Sequence, residues 1–202
     1  MRSGGSNRVP PRYTECRFPT FAPKTTSQER ALTAAQHLAN GTIGSLVLVG
    51  RPGVGKSHLA AAVVRDIEER LLATPADEID GRVAPQPTYP VWQNVADLVI
   101  GLRMELDLPG WEREYAGTAR TLGRWRGLVV LDDLGREKST DWSGEVIYAL
   151  CNHRYEQRLP TLVTSNLTPN DLALSPYWPV ISRLAEDGEL IEITGPDHRV
   201  DR

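Results

Sequence analysis

Several features are scarce in this chain of 202 residues, and each absence excludes a class of protein. The two cysteines, Cys16 and Cys151, lie far apart without metal-site spacing, so neither a disulfide framework nor a zinc fold is expected. No apolar run reaches the roughly 18 residues of a transmembrane helix. The N-terminal residues lack the apolar core of a signal peptide. These absences predict a cytoplasmic location.

Positive charge is also limited, because the formal net charge is −3. Any contact with nucleic acid would therefore depend on a local basic patch rather than on overall charge. Most basic residues are arginines, and the lysines are Lys24, Lys56 and Lys138. With 40% apolar and 24% charged residues, the composition is that of an ordinary globular domain.

The stretch SLVLVGRPGVGKS, residues 45–57, carries the most specific motif of the chain. Gly50, Gly55, Lys56 and Ser57 have the spacing G-x-x-x-x-G-K-[ST] between a predicted buried strand and a predicted helix. Such a loop turns backbone N–H groups toward phosphate oxygens, and the following helix adds its positive end. The alternative is a chance glycine turn. The predicted nucleotide-binding residues are Gly50, Arg51, Pro52, Gly53, Val54, Gly55, Lys56, Ser57 and His58.

Within this loop, Lys56 is expected to reach the β- and γ-phosphates of ATP, and the Ser57 hydroxyl to ligate Mg²⁺. His58 is most simply a residue on the helix surface. Asp132 and Asp133 follow the apolar run Leu128–Leu131, which predicts a second strand ending in two carboxylates. Asp132 is expected to hold Mg²⁺ and Asp133 to activate a water for attack on the γ-phosphate. The alternative is a solvated turn.

Two further residues are candidates for the same site. Asn166 follows the apolar strand of residues 160–164 and could bind the attacking water, although Ser-Asn is also ordinary turn chemistry. Arg183 lies in a predicted helix and could reach a neighbouring subunit's phosphate, or could instead pair with Glu186. For Arg154 and Arg199, salt bridging is the simpler expectation.

Alternating strands and helices predict an α/β fold whose parallel sheet is covered on both faces. Residues 1–25, rich in Pro, Gly, Ser and Arg, are expected to form an extended arm on the domain that follows. Thr26 and Glu29 have capping-box spacing at the start of the first helix. A polar loop is predicted over 74–88 and a short strand over Tyr89–Gln93.

The segments GRPGVGKSHLAAAVV, LVVLDDLG, RLPTLVTSNL and VISRLAEDGELIEITGPDHR occur in this order. Together they resemble the AAA+ ATPases of the DnaC helicase-loader and IstB transposition-helper group. LDDLG, TSNL and SRLAEDG carry most of the specificity, because many NTPases share the phosphate loop. The resemblance implies a P-loop NTPase with a five-stranded parallel sheet between helices, an ATPase domain over 26–202, and a C-terminal lid that is absent or vestigial.

The resemblance also implies roles for individual residues. Lys56 and Ser57 match the Walker A positions, and Asp132 and Asp133 the Walker B pair. Asn166 matches a sensor residue, and Arg183 matches an arginine finger that acts across a subunit interface. Asn94 matches a polar residue that restrains the catalytic acid. The helical segment 95–125 matches an insertion used near single-stranded DNA, although a solvated mixed-charge face is the alternative. Arg199 could partly replace a lid arginine.

The function that the resemblance implies is that of an ATP-dependent switch in DNA replication. The cofactors would be ATP and Mg²⁺, and the partners a replicative helicase, single-stranded DNA and further copies of the chain. One alternative is an IstB-like ATPase that binds DNA and directs a transposase. Another is an ATP-binding adaptor with little hydrolysis. Position 133 is Asp where many AAA+ enzymes have Glu, and this shorter acid is expected to slow hydrolysis and to favour a switch over a motor.

Overall fold

Five parallel strands form one sheet in the computed structural model, which describes residues 9–73, 88–136 and 140–198. The spatial order is β2-β3-β4-β1-β5, and every neighbouring pair is parallel. The strands are β1 (Ser45–Val49), β2 (Val91–Asn94), β3 (Val129–Leu134), β4 (Thr161–Ser165) and β5 (Gly188–Glu192). The predicted α/β fold with a five-stranded parallel sheet is confirmed.

Helices cover both faces of this sheet. They are α1 (Thr26–Ala39), α2 (Lys56–Ala73), α3 (Val95–Met104), α4 (Glu114–Arg124), α5 (Asp141–Glu156), α6 (Pro169–Ala173) and α7 (Trp178–Glu186). Because strand side chains alternate, Leu46 and Leu48 of β1 pack with α1 and α2, whereas Val47 and Val49 pack with the helices opposite. Among the described residues, no helix combines the length and hydropathy needed to cross a bilayer.

Several boundaries differ from the sequence-based expectations. The N-cap of α1 is Thr25, whose hydroxyl accepts from the Gln28 N–H, so the capping box predicted at Thr26 was wrong by one residue. The first strand after the polar loop begins at Val91 rather than Tyr89. The segment 95–125 is helical as predicted, and it forms two helices with a 3-10 turn over Gly110–Glu112 between them.

The strand that carries the acidic pair also runs further than predicted. β3 includes Asp132, Asp133 and Leu134, and its register with β4 shifts between Leu131 and Leu134. The shift coincides with Asp133 in the left-handed region at φ 65°. A non-glycine residue rarely adopts this conformation, so its surroundings must hold it there.

The N-terminal segment lies against the domain over its described part. It makes two 3-10 turns, Pro11–Tyr13 and Phe18–Thr20, so residues 9–25 are not the uniformly extended arm that was predicted. Val9 and Phe21 are buried in the core. The division of the chain at residue 25 stays a prediction. Residues 1–8, Arg199 and nearly all of the polar segment 74–88 lie outside the described residues.

A buried arginine joins the amino ends of β3 and β4 to two helices. Arg154 of α5 is fully buried and donates to four backbone carbonyls and one hydroxyl, rather than to a carboxylate as expected. The acceptors are Leu122 O, Trp125 O, Gly127 O, Pro160 O and Thr161 Oγ1. Burial lowers the pKa of Arg154 to about 10, which leaves it charged at neutral pH.

Arg154→Ala should lower the free energy of unfolding by about 3–5 kcal/mol, because it leaves several buried carbonyls without a donor. Urea denaturation measures this loss. Arg126→Ala removes an exposed arginine nearby and should change stability by no more than about 0.5 kcal/mol. If the two variants unfold at the same urea concentration, Arg154 does not join these elements as described.

Candidate functional site

The glycine-rich loop between β1 and α2 adopts a conformation that side chains would prevent. Gly50, Gly53 and Gly55 have φ of 138°, 85° and 108°. A Cβ at Gly50 would lie 2.3 Å from the Ile193 carbonyl oxygen. Because α2 begins at Lys56, the loop leads directly into the N-terminus of an 18-residue helix. This is the geometry in which free backbone N–H groups and a helix dipole favour an anion.

Lys56 is turned into the loop rather than into solvent. Its side chain is 6% exposed, and Nζ donates to the carbonyl oxygens of Gly50 at 2.7 Å and Arg51 at 2.8 Å. The ammonium group is therefore held beside the loop. The remaining loop side chains differ in exposure, since Val54 is buried, whereas Arg51 and Pro52 are exposed.

Asp132 lies at the carboxyl end of β3 and contacts the loop directly. Its Oδ1 accepts from Ser57 Oγ at 3.1 Å and from Thr164 Oγ1 at 2.6 Å. The residue is 6% exposed, and burial raises the pKa of its carboxyl above the ordinary value. The structure thus brings together two residues, Ser57 and Asp132, that are far apart in the sequence.

These oxygen atoms fit a divalent cation of the Mg²⁺ type. Mg²⁺ is commonly bound by one or two carboxylates together with substrate phosphates, so Asp132 and the Ser57 hydroxyl form a sufficient protein contribution. A buried carboxylate with a raised pKa is also a site where a cation relieves the cost of burial. The described residues contain no group of three or more His, Cys, Asp or Glu that would bind a metal by themselves.

Asp133 is held by three neighbours. Its backbone N–H donates to Thr164 Oγ1 at 3.0 Å, and its Oδ1 accepts from Asn166 Nδ2. Its Oδ2 accepts from Arg136 Nη1 at 2.9 Å. The side chains of Asp133 and Asn166 are therefore in contact.

Thr164 and Arg136 were not among the residues predicted for this site. Thr164 is a buried hydroxyl that directly follows the apolar pair Leu162 and Val163 in β4, and that pattern was a signal in the sequence. Arg136 gave no such signal, because its contact with Asp133 depends on the turn between them. Asn94, predicted to restrain the catalytic acid, uses its Oδ1 to cap α3 by accepting from the Asp97 N–H at 3.1 Å.

Arg183 lies on α7 and contacts α5. Its Nη1 donates to Tyr148 Oη at 2.6 Å and to Asn152 Oδ1, and its guanidinium lies 5.2 Å from the centre of the Tyr148 ring. Glu186, the alternative partner considered from the sequence, instead accepts from Tyr155 Oη at 3.1 Å. Both of these partners lie on α5 and not on the loop of residues 50–58.

His58 faces the N-terminal segment rather than solvent. Its Nε2 lies 3.1 Å from the Arg17 carbonyl oxygen and 3.3 Å from Thr20 Oγ1, and its ring centre is 5.3 Å from that of Phe21. Burial lowers the pKa of His58. The expectation of a helix-surface residue was wrong, because the segment before α1 covers this side of α2.

A groove of about 880 Å³ opens beside the acidic pair, between the N-terminal segment and α3–α4. Carboxylates outnumber guanidinium groups along it, and several apolar side chains are exposed in it. The charged lining residues are Arg12, Asp97, Glu105, Glu114, Asp132, Asp133 and Arg136. Arg113 donates to the Leu106 and Leu108 carbonyls, whereas Arg120 and Arg124 are exposed. The insertion therefore presents mixed charge.

Known proteins are similar to this chain in sequence and in fold. The replicative helicase loader DnaC of Escherichia coli strain K12 is 31% identical over 173 residues, covering 82% of this chain and 61% of that protein. A crystal structure of the DnaC helicase loader has a TM-score of 0.69 at 29% identity, covering 92% of this chain and 100% of that one. The chain is similar to the DnaC helicase loaders in both sequence and fold, so the resemblance to the DnaC group of AAA+ proteins is confirmed. No protein-family model matches it.

Two further known proteins are similar to this chain. The replicative helicase loader DnaI of Bacillus subtilis strain 168 is 29% identical over 128 residues, covering 63% of this chain and 34% of DnaI. The replication initiator DnaA, solved with AMPPCP and single-stranded DNA, has a TM-score of 0.67 at 16% identity and covers 93% of this chain, which shows a shared fold. The DnaC-like chain thus spans about a third of DnaI and three fifths of DnaC.

Asp132→Asn should raise the Tm of the nucleotide-free protein by a few degrees at neutral pH. Burial raises the pKa of Asp132, so its ionised form destabilises the fold, whereas an amide keeps an acceptor oxygen for both hydroxyls. Because the folded-state pKa exceeds the unfolded one, the wild type regains this stability as the pH falls. The difference between the two proteins should therefore shrink toward pH ~4.

Scanning calorimetry at several pH values measures this difference. Asp107→Asn, an exposed aspartate after α3, is the matched control and should leave Tm unchanged throughout. A lower Tm for Asp132→Asn at neutral pH would show that the buried carboxylate stabilises the fold.

Proposed function

We propose that this DnaC-like protein binds ATP with Mg²⁺ at the loop of residues 50–58. The observation that carries the proposal is the contact of Ser57 with Asp132, which joins the phosphate loop to the acidic strand. In this site Lys56 binds the β- and γ-phosphates, and Ser57 and Asp132 hold the cation. Bound Mg²⁺ neutralises charge on the phosphate oxygens.

Hydrolysis of ATP is assigned to the residues beside this site. Asp133 orients a water for attack on the γ-phosphate and accepts its proton. Asn166, which already contacts the Asp133 carboxylate, donates a hydrogen bond to that water or to the γ-phosphate. The Thr164 hydroxyl positions both acids, since it binds the Asp132 side chain and the Asp133 backbone.

The proposed biological role is loading or remodelling of a replicative helicase on single-stranded DNA. Support comes from the relatives DnaC and DnaI, which are named replicative helicase loaders. The exposed arginines of α4 are the proposed DNA contacts, and self-association into an oligomer or filament completes the ATP sites. In that assembly Arg183 of one subunit approaches the γ-phosphate bound by the next.

One observation favours a second candidate, an ATP-binding adaptor with little hydrolysis. Both oxygens of Asp133 accept hydrogen bonds from side chains, one of them cationic. Turnover measured with single-stranded DNA and the replicative helicase of the source cell separates the two candidates. Capture of that helicase only with ATP, together with stimulated turnover, supports the loader. Capture with turnover at background supports the adaptor.

Lys56→Ala should abolish ATP binding, because it removes the ammonium group that binds the phosphates. The proposed Mg²⁺ ligands, Ser57 and Asp132, remain. Titration calorimetry with ATP and Mg²⁺ measures the affinity, and thermal unfolding establishes that the variant is folded. Arg30→Ala, an exposed arginine on α1, is the charge-matched control and should bind ATP as the wild type does. Nanomolar to micromolar ATP binding by Lys56→Ala would disprove the loop assignment.

Arg183→Ala should leave ATP affinity unchanged and remove DNA-stimulated hydrolysis, with a loss of up to ~10³-fold if it acts across the interface. Turnover is measured over a range of protein concentrations, because a contribution in trans requires assembly. Tyr148→Phe is the control, since it removes a hydrogen bond of Arg183 but keeps the guanidinium. If dilute, monomeric protein turns over equally with and without Arg183, the residue does not act in trans.

A further inference from the structure

The groove beside the acidic pair concentrates exposed apolar side chains. Among the described residues, nine large hydrophobic side chains are exposed, and four of them line this groove. Ile100 and Met104 are 54% and 76% exposed and lie one turn apart on α3, and Leu108 and Tyr115 follow them along the chain. Single exposed apolar residues are ordinary on a protein surface, whereas a group of them is typical of an interaction site. The groove is therefore a candidate docking surface.

The charge of the groove indicates what kind of molecule would dock there. Five carboxylates line it against two guanidinium groups. Both guanidinium groups already have partners, since Arg136 pairs with Asp133 and Arg12 lies over a neighbouring tyrosine ring. A surface of this charge repels phosphate groups and attracts lysine and arginine side chains.

Two of the five carboxylates are available to an incoming molecule. The acidic pair belongs to the candidate ATP site, and Glu105 accepts from two backbone N–H groups at the start of α4. Asp97 and Glu114, by contrast, are exposed, and in the described part of the chain neither forms an ion pair. These two residues are the sites at which basic side chains of a partner would bind.

The wall of the groove also contains a hydrogen-bond donor that lacks an acceptor. Trp92 belongs to β2, the edge strand of the sheet, and packs against Tyr13 with ring centres 5.8 Å apart. The residue is 4% exposed, and its Nε1–H meets no acceptor among the residues that the structure describes. A buried donor without a partner costs free energy that an acceptor recovers. A peptide has a carbonyl oxygen at every residue, so a docked peptide is a source of this acceptor.

We propose that this groove docks a segment of a partner protein that carries lysine or arginine among apolar side chains. The apolar side chains pack on Ile100 and Met104, and the basic ones pair with Asp97 and Glu114. A groove of about 880 Å³ accommodates only a few side chains, so a short segment docks and not a whole domain. The exposed arginines of α4, proposed above as DNA contacts, do not line the groove. Protein and DNA therefore use different parts of α3–α4.

A phage-displayed library of random dodecapeptides tests the proposal on the whole chain. Selection on the wild type should enrich peptides that combine lysine or arginine with leucine, isoleucine or phenylalanine. The double variant Ile100→Gln/Met104→Gln removes two exposed apolar side chains from α3 and should raise the Kd of an enriched peptide at least about tenfold. Titration calorimetry measures this Kd. Leu174→Gln, an apolar residue that is 88% exposed outside the groove, is the matched control and should bind as wild type.

The carboxylates are tested with a second pair of variants. Asp97→Asn/Glu114→Gln should raise the Kd of the same peptide by roughly three- to tenfold at low salt, and the difference from wild type should shrink at high salt. Asp107→Asn removes an exposed carboxylate that does not line the groove and should leave the Kd unchanged. Thermal unfolding establishes that each variant is folded.

Several results would overturn the proposal. One is a selection that enriches no peptide or enriches acidic ones, and another is equal affinity of the enriched peptide for wild type and Ile100→Gln/Met104→Gln. Loss of oligodeoxythymidylate binding in that variant would assign the groove to nucleic acid instead. Self-association of the wild type that the variant abolishes would assign it to a second copy of the chain. Docking requires no ATP, so it goes beyond the proposed function, and the two can fail independently.

Discussion

The hydroxyl of Thr164 is the interaction on which the arrangement of the acidic pair depends. It donates to the Asp132 carboxylate and accepts from the Asp133 backbone N–H. The first bond keeps a buried carboxylate directed at Ser57, and the second holds Asp133 in a left-handed conformation. β4 can provide this hydroxyl because it lies between β1, which leads into the phosphate loop, and β3, which carries the acids. A methyl group in place of the hydroxyl would remove both bonds.

The two edges of the sheet differ in how far their buried charges are compensated by hydrogen bonds. At the amino edge Arg154 donates to five acceptors, so its burial is compensated by hydrogen bonds. At the carboxyl edge Asp132 is buried with a raised pKa and Asp133 is strained. Buried charge and strain destabilise a fold, and they are tolerated where they prepare a site for a ligand. The stability of the amino edge therefore offsets the destabilisation at the carboxyl edge.

The sequence predicted those parts of the site whose spacing is local. The loop of residues 50–57 is recognised by glycines and a lysine at fixed positions, and the two acids are recognised because they directly follow an apolar run. Parallel strands then bring Asp132 and Asn166 to the same edge. The predictions that no observation tests, above all the roles of individual residues, stay predictions.

Contacts that depend on turn geometry or on packing between distant elements could not be read in this way. Arg154 has the sequence context of a surface helix, and only the folded chain shows five acceptors converging on it. The N-cap of α1 was misplaced because Thr25 and Thr26 are chemically equivalent and only backbone conformation selects between them.

Arg136 illustrates the same limit. An arginine three residues after an aspartate is common in solvated turns, so neither spacing nor composition distinguishes it. Arg136 is distinguished by the turn before it. This turn begins at Asp133, whose backbone is strained, and Gly135 permits it. The backbone conformation of Asp133 therefore also places its carboxylate within reach of the exposed Arg136 guanidinium. The position of this carboxylate and its ion pair both depend on one short piece of backbone, so any change in this turn should alter both together.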